Sequence, residues 1–340
     1  MKLTPRSLQA FAILILFSFV LIVLSPVRAP AQSCETSDEM DGATRTAITN
    51  SGQSYFEMAA KGDTTSLQKN AIPSLASSFS EIQAIIKDHQ GDLAGAQPNV
   101  KSVFLLDATG SAPIPHAEFF CGVFGKNGQT ANSAAFYLSD LPPAKYAAVL
   151  IDATSMQGMT MFTEILQQVG TDWKLGGLYI KAAQIAGHNS QWFLDRAREY
   201  KAKGQMHNAW FYYEEARSLI SPLSFMSTLA TDNLYDESNQ VRPADLPGGG
   251  KTADLVAGTA TYKLTQVFPR AVGNDLDLTV KYQVADASNS NQAYADNMAV
   301  VKALVDKYPE LRDAFVSVEL LAVDPSGREY GTLIAMKDIK

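Results

Sequence analysis

The chain has few of the residues that most often hold metal ions. Its 340 residues include two cysteines and four histidines. His89, His188 and His207 stand apart, and no two of them have the short spacing that metal ligands need. The segment Asp275-Leu276-Asp277 offers two carboxylates but lacks the glycine and the distal glutamate of a calcium loop. The sequence therefore predicts neither a metal site nor a cofactor.

Positive charge is also scarce. The formal net charge is −7, and no cluster of Lys and Arg alternates with aromatic residues. A nucleic-acid surface needs a basic stripe to neutralise phosphates. We therefore expect no nucleic-acid partner.

Two catalytic motifs begin but are not completed. His116-Ala117-Glu118 followed by Cys121 matches the start of a zinc deaminase signature, but the later Pro-Cys-x-x-Cys is absent. Simple strand alternation explains the segment better, and it predicts that one face carries Ala117, Phe119 and Cys121. The glycines at 248–250 precede Lys251 and Thr252, as at the end of a phosphate loop. Asp245 occupies the place of the first glycine in that motif, so a linker is the better interpretation.

The first 31 residues have the pattern of a secretory signal. Lys2 and Arg6 precede an apolar run at 10–24, and Ala29-Pro30-Ala31 follows. We expect cleavage after Ala31 and a periplasmic or extracellular protein of a bacterial-type envelope. Two alternatives remain open: an uncleaved membrane anchor, since the run approaches the length of a span, and acylation of Cys34.

The two cysteines, Cys34 and Cys121, both follow this signal. In an oxidising compartment they can form one disulfide that joins the N-terminal tail to the first domain. The alternative is two separate thiols. Spacing alone does not decide between them.

The order of elements predicts an α+β protein. Residues 32–44 are polar, which predicts a flexible lead-in. The apolar spacing at 45–61 predicts a helix with one apolar face that ends at Gly62-Asp63. Further helix at 67–86 is interrupted by Pro73. β-type runs follow at 100–107, 117–124, 133–138, 146–152, 159–169 and 173–181. Helices followed by antiparallel strands indicate α+β rather than a wound parallel sheet.

Residues 45–185 resemble the nuclear transport factor 2-like superfamily, which includes ketosteroid isomerase. Two segments carry the resemblance: the helix end Tyr55-Phe56-Glu57-Met58-Ala59-Ala60-Lys61-Gly62-Asp63 and the later turn Gly170-Thr171-Asp172-Trp173-Lys174-Leu175. The resemblance implies a cone-shaped domain with a curved antiparallel sheet. It also implies that the sheet face forms a homodimer.

Enzymes of this superfamily place a carboxylate base and a Tyr or protonated acid inside the cone. The strands of this chain offer a few weak candidates of those types: Asp107, Asp152, Tyr137, Tyr146 and Tyr179. Packing and turn chemistry explain most such residues, so we predict no catalytic set.

Residues 188–235 predict a helical hairpin. Gly204, Ala209, Tyr213, Ala216 and Pro222 resemble the second half of a tetratricopeptide repeat, although no second copy follows. Residues 223–235 predict a third, capping helix. The row of Trp210, Phe211, Tyr212 and Tyr213 covers most of a helix circumference, so these residues cannot all face one core. Trp210, Tyr212 and Tyr213 are candidates for a partner-binding face, and burial against flanking domains is the alternative.

Residues 236–252 are polar and rich in glycine and proline, which predicts a linker. Residues 253–340 then predict a ββαββ module whose last hairpin turns at Asp324-Pro325-Ser326-Gly327.

This layout, without a complete catalytic set, favours non-catalytic binding of a protein partner or a small apolar ligand. The alternatives are an isomerase- or hydratase-like enzyme and a passive subunit of an envelope complex. Contact with a membrane is expected only if the N-terminal segment stays uncleaved.

Overall fold

A computed structural model describes residues 32–122, 128–273 and 275–340. The predicted signal at 1–31 lies outside the described residues. The described chain is a mixed α+β protein with nine α-helices and several antiparallel sheets, which confirms the predicted class. None of these nine helices is long and apolar enough to cross a membrane.

The N-terminal half is built on one five-stranded sheet. The strands of this half are β1 (Ser33–Thr36), β2 (Gln97–Asp107), β3 (Ile114–Cys121), β4 (Ala134–Leu141), β5 (Lys145–Ser155), β6 (Gly158–Val169) and β7 (Asp172–Ala182). The first sheet has the order β1-β2-β5-β6-β7, and all of its pairs are antiparallel. Continuous runs of buried residues along β2, β5 and β6 give the sheet two apolar faces, so both must be covered.

Helices cover one face of this sheet. They are α1 (Gly42–Ala60), α2 (Thr64–Lys69), α3 (Pro73–Ser77), α4 (Ser80–Asp88) and α5 (Gln90–Leu93). The Asp41 side chain caps α1 by accepting from the backbone N–H groups of Ala43 and Thr44. After α1, Gly62 adopts a φ of 69°, which suits glycine. Pro73 begins a new helix, so the predicted 67–86 segment is three short helices.

A second, three-stranded sheet covers the other face. The short strands β8 (Gln184–Ile185) and β9 (His188–Asn189) lead out of β7, and β10 (Met226–Thr228) lies further along the chain. β10 pairs with β4, which pairs with β3. The core between the two sheets includes Phe104, Leu106, Phe119 and Phe136. The N-terminal half is therefore three layers: helices, a sheet and a second sheet.

The prediction of a flexible lead-in at 32–44 was wrong. β1 extends the edge of the first sheet, where Cys34 pairs with Leu106. A disulfide joins Cys34 to Cys121, with a Cα–Cα distance of 4.8 Å. Backbone pairing and this bond hold the segment in place.

The helices of the hairpin are α6 (Ser190–Ala202) and α7 (Met206–Ser218), and α8 (Leu229–Asn239) follows them. The third helix begins at Leu229 rather than at 223, because residues 226–228 form β10 instead. Thr228 ends β10 and caps α8, since its hydroxyl accepts from the Thr231 N–H.

The C-terminal module contains β11 (Ala253–Ala257), β12 (Ala260–Val272), β13 (Asp275–Gln283), α9 (Ser290–Lys307), β14 (Ser317–Val323) and β15 (Glu329–Ala335). The sheet order follows the chain, and α9 makes the crossover between the parallel strands β13 and β14. The module is βββαββ rather than the predicted ββαββ. The short strand β11 was missed because five residues after a glycine-rich turn carry little periodic signal.

The hairpin and the C-terminal module share one apolar core, which includes Tyr212, Tyr282 and Phe315. The predicted linker at 236–252 begins inside α8. Hydrogen bonds hold its loop against both the hairpin and the C-terminal module. Asp245 accepts from the Tyr308 hydroxyl at 2.9 Å and bonds His207 at 3.0 Å. His207 also bonds Glu310 at 2.7 Å. Residues 236–252 therefore connect two packed units and are not a free spacer.

Glu164 of β6 is fully buried beneath α1, and neither carboxylate oxygen has a hydrogen-bond partner within the described ranges. Burial raises the pKa of this carboxyl well above its ordinary value. Gly52 of α1 makes room for it, because a Cβ there would lie 2.8 Å from Glu164 Oε2 and 2.8 Å from Val149 Cγ1. The glycine therefore sets how closely the helix approaches the sheet.

We expect Gly52→Ala to lower the free energy of unfolding by about 1–2 kcal/mol, because overpacking outweighs the usual helical advantage of alanine. Urea denaturation measures the change. Gly42→Ala is the matched control, since Gly42 lies in the same helix and a Cβ there would meet nothing within 4 Å. Equal stability of the two variants would contradict the close packing.

Candidate functional site

An apolar pocket of about 360 Å³ lies between the first sheet and the segment that connects α7 to α8. On the sheet side, the lining side chains project from the face that the helices do not cover. They are Phe104 of β2, Leu150 of β5, and Met161 and Thr163 of β6. Leu150 and Thr163 are direct cross-strand partners, so the floor of the pocket is fixed by the register of the sheet.

The opposite wall comes from a distant part of the chain. Ile220 and Pro222 follow α7, Met226 belongs to β10, and Leu229 and Ala230 begin α8. Pairing of Met226 with Phe136 anchors this wall to the second sheet. The capping bond of Thr228 then fixes the direction in which α8 starts. The wall is therefore held by backbone pairing and by the helix cap.

Polar groups stand at one part of the lining. Lys101 Nζ lies 3.5 Å from Asp152 Oδ2, and the Asp152 side chain is the less exposed of the two, at 20% against 60%. A β-bulge between Val100 and Ser102 leaves Lys101 as the extra residue of β2. Bulges re-aim side chains in this way. The other polar residues of the lining are Ser102, Asn132, Ser133, Thr163, Thr228 and Asn233.

This arrangement suits binding better than chemistry. The volume falls within the range of about 300–1,000 Å³ that is typical of small-molecule sites, and such sites combine apolar walls with a few polar groups. The one charged pair of the lining, Lys101 and Asp152, is an ion pair at 3.5 Å, and the lining contains neither Cys nor His. A small apolar molecule with one polar end therefore fits the pocket.

The structure separates the weak catalytic candidates, and only Asp152 lines this pocket. Burial opposes ionisation of Asp107, but hydrogen bonds from Thr109 outweigh it and the pKa of Asp107 is lowered. Tyr146 is buried, which raises its pKa, and its hydroxyl donates to the Pro142 carbonyl at 2.8 Å. Tyr137 is half exposed and packs edge to face on Phe120.

The last of the five candidates, Tyr179, packs against Phe225 with ring centres 5.6 Å apart. No two members of the predicted acid and tyrosine set meet in the arrangement that an isomerase needs.

Sequence reasoning missed one acid, Glu164. Burial raises the pKa of the nearby Tyr55 to about 12, and the charges of Glu164 and Asp172 add to this. The Tyr55 hydroxyl already donates to the Trp173 carbonyl at 2.6 Å. A substrate does not reach this acid, because Glu164 has no exposed surface.

The predicted partner-binding row is mostly buried. Tyr212 and Tyr213 lie in the shared core, where their hydroxyls donate to the Ala314 carbonyl and to Glu237. They are not available to a partner, because α7 packs against α6, α8 and the C-terminal module. Trp210 is partly buried beneath the Arg242 guanidinium at 5.5 Å.

The two incomplete motifs are structural. Ala117, Phe119 and Cys121 share the buried face of β3, as alternation predicts. Cys121 forms the disulfide with Cys34, so its thiol is not available as a metal ligand. Gly248 and Lys251 bridge a tight turn, and the next element is the strand β11 rather than the helix that a phosphate loop requires. Within the described ranges, no three His, Cys, Asp or Glu side chains converge as metal ligands.

No protein-family model, curated protein or solved structure matches this chain. Relatives therefore supply no residue roles.

Proposed function

We propose that this chain is an exported, non-catalytic protein that binds a small apolar ligand in the pocket between the first sheet and α8. The observation that carries the proposal is the cavity of about 360 Å³ walled by Phe104, Leu150, Met161 and Met226. Transfer of an apolar molecule from water into such a cavity is favourable by about 25 cal/mol for each Å² of apolar surface removed. A ligand of some ten to twenty non-hydrogen atoms matches this volume to within roughly a factor of two.

The polar groups define which end of the ligand carries a hydrogen-bonding group. Asp152 is more enclosed than Lys101, so the inner polar group is an acceptor. A ligand with a hydroxyl or amine donor bonds this carboxylate, whereas a ligand carboxylate meets a like charge. The favoured ligand is therefore apolar with a neutral or cationic donor at one end.

Export and the superfamily relationship remain part of the proposal. A disulfide between Cys34 and Cys121 is expected in an oxidising compartment, which agrees with a cleaved signal. Helices on one face of an antiparallel sheet, with a Gly-Asp turn after the first long helix, agree with a nuclear transport factor 2-like domain.

Titration with N-phenyl-1-naphthylamine, an uncharged amine that fluoresces in apolar sites, tests the proposal. We expect saturable binding to one site with a dissociation constant of about 1–100 μM, typical of a probe that is not the natural ligand. Ala230→Trp places an indole at the pocket wall and should weaken binding at least tenfold. Ala295→Trp is the matched control on the exposed surface of α9 and should have no effect. Absence of saturable binding, or equal binding by both variants, would contradict the proposal.

A further inference from the structure

A second cavity, of about 520 Å³, lies between α7, β4 and α8, on the far side of the 221–227 segment from the apolar pocket. Its lining is rich in hydroxyl groups. Ser218 and Ser224 are exposed and Ser227 is half-buried, so their side-chain hydroxyls are open to the cavity. These groups are free to donate to or accept from a ligand.

A charged pair in the same lining has one unused acceptor. Arg217 Nη2 donates to Glu214 Oε2 at 2.8 Å. The other oxygen, Glu214 Oε1, is buried and has no partner within the described part of the chain. This oxygen has practically no surface open to the cavity, so the groups of the pair that meet a ligand are Glu214 Oε2 and the Arg217 guanidinium.

Two partly exposed aromatic residues line the cavity. Tyr235 of α8 is 47% exposed and lies with its ring centre 5.3 Å from the Arg217 guanidinium. Tyr137 of β4 is 49% exposed and is held edge to face by Phe120. Both rings are therefore fixed in orientation while keeping half of their surface open.

Sugars match this combination of groups. A pyranose ring has an apolar C–H face, which packs on an aromatic ring, and a rim of hydroxyls, which need planar donors and acceptors such as Arg and Glu. An entirely apolar ligand would leave the serine hydroxyls of the lining without partners. Glu214 and Asp232 outnumber Arg217, so a phosphate or an acidic sugar meets excess negative charge.

We propose that this cavity binds a neutral oligosaccharide. The site is distinct from the apolar pocket, although both touch Met226. The tyrosine rings stack on sugar faces, Glu214 Oε2 accepts from a sugar hydroxyl, and the serine hydroxyls bond the remaining rim.

Saturation-transfer NMR on the oxidised protein with maltotetraose, cellotetraose and chitotetraose tests this inference. We expect transfer to the ring protons of at least one of the three, with binding weakened at least fivefold by Tyr235→Ala and by Glu214→Gln. Tyr294→Ala is the matched control, since Tyr294 is also half exposed but lies on α9. Binding of the naphthylamine probe checks that each variant is folded.

Two results would overturn the inference. One is no transfer to any of the three oligosaccharides. The other is transfer that Tyr235→Ala and Glu214→Gln leave unchanged, which would place the sugar elsewhere.

Discussion

We expect replacement of both Cys34 and Cys121 by serine to lower the free energy of unfolding by about 3–5 kcal/mol. The disulfide joins residues 87 positions apart, so it removes a large loop-closure entropy from the unfolded chain. It also fastens β1 to β3, two strands that belong to different sheets. Cys121 has no exposed surface, so a serine there adds the cost of burying a hydroxyl group.

Urea denaturation of the wild type and of the double variant measures this effect. The wild type treated with a thiol reductant is the control, and it should match the double variant to within about 1 kcal/mol. If neither reduction nor substitution changed the midpoint of urea denaturation, the edge strand β1 would be held by backbone pairing alone.

The second large effect concerns Glu215 of α7 and the pH. Burial raises the pKa of Glu215 to about 7, the charge of Glu214 adds to this, and Lys181 of β7 opposes it. Lys181 Nζ donates to the carbonyls of Ser218 and Ser221, so these groups form the contact between the first sheet and the hairpin. The ionisation of Glu215 therefore acts at the contact between the two halves of the molecule.

The sign follows from the direction of the shift. The folded pKa of Glu215 lies above the unfolded value, so the unfolded chain ionises first as the pH rises. The contribution of Glu215 to the free energy of unfolding is at its maximum below about pH 4.5, where the carboxyl is protonated in both states. It falls as the pH rises to about 7, because only the unfolded chain ionises readily in that range. One pKa unit corresponds to about 1.4 kcal/mol, and partial solvent access reduces the total to about 2 kcal/mol.

Glu215→Gln should therefore be more stable than the wild type by about 2 kcal/mol at pH 8, and nearly equal to it at pH 4.5. Chemical denaturation at both pH values measures this difference. Glu81→Gln is the control, because Glu81 is exposed on α4 and should leave the pH dependence unchanged. If the Glu215→Gln variant lost as much stability between pH 4.5 and 8 as the wild type does, Glu215 would not be the group responsible.

The α+β class and the long strands of the N-terminal half were predictable because their apolar periods are regular and glycine, proline and asparagine mark the turns. β10 was not predictable. Its three residues, Met226 to Thr228, are too few to show a period, and they form a strand only because β4 offers an open edge. The aromatic row on α7 had two interpretations, and only the positions of α6, α8 and the C-terminal module decide that Tyr212 and Tyr213 are buried.

The candidate site was only partly visible in the sequence. Asp152 was among the candidates, but the pocket wall comes from Ile220 to Ala230, and a single sequence does not pair segments so far apart. Glu164 was missed although a signal existed. Glu164 lies two residues from Phe162 and two from Leu166 along β6, so the three side chains share one buried face.

The most direct test of the ligand-binding account is methyl NMR on protein labelled at its methionines, titrated with N-phenyl-1-naphthylamine. Met161 and Met226 line the apolar pocket, whereas Met40, Met206, Met298 and Met336 do not. We expect the signals of Met161 and Met226 to shift and saturate together while those four stay in place. Shifts spread over the other methionines, or none at Met161, would contradict the central claim that this pocket holds the ligand.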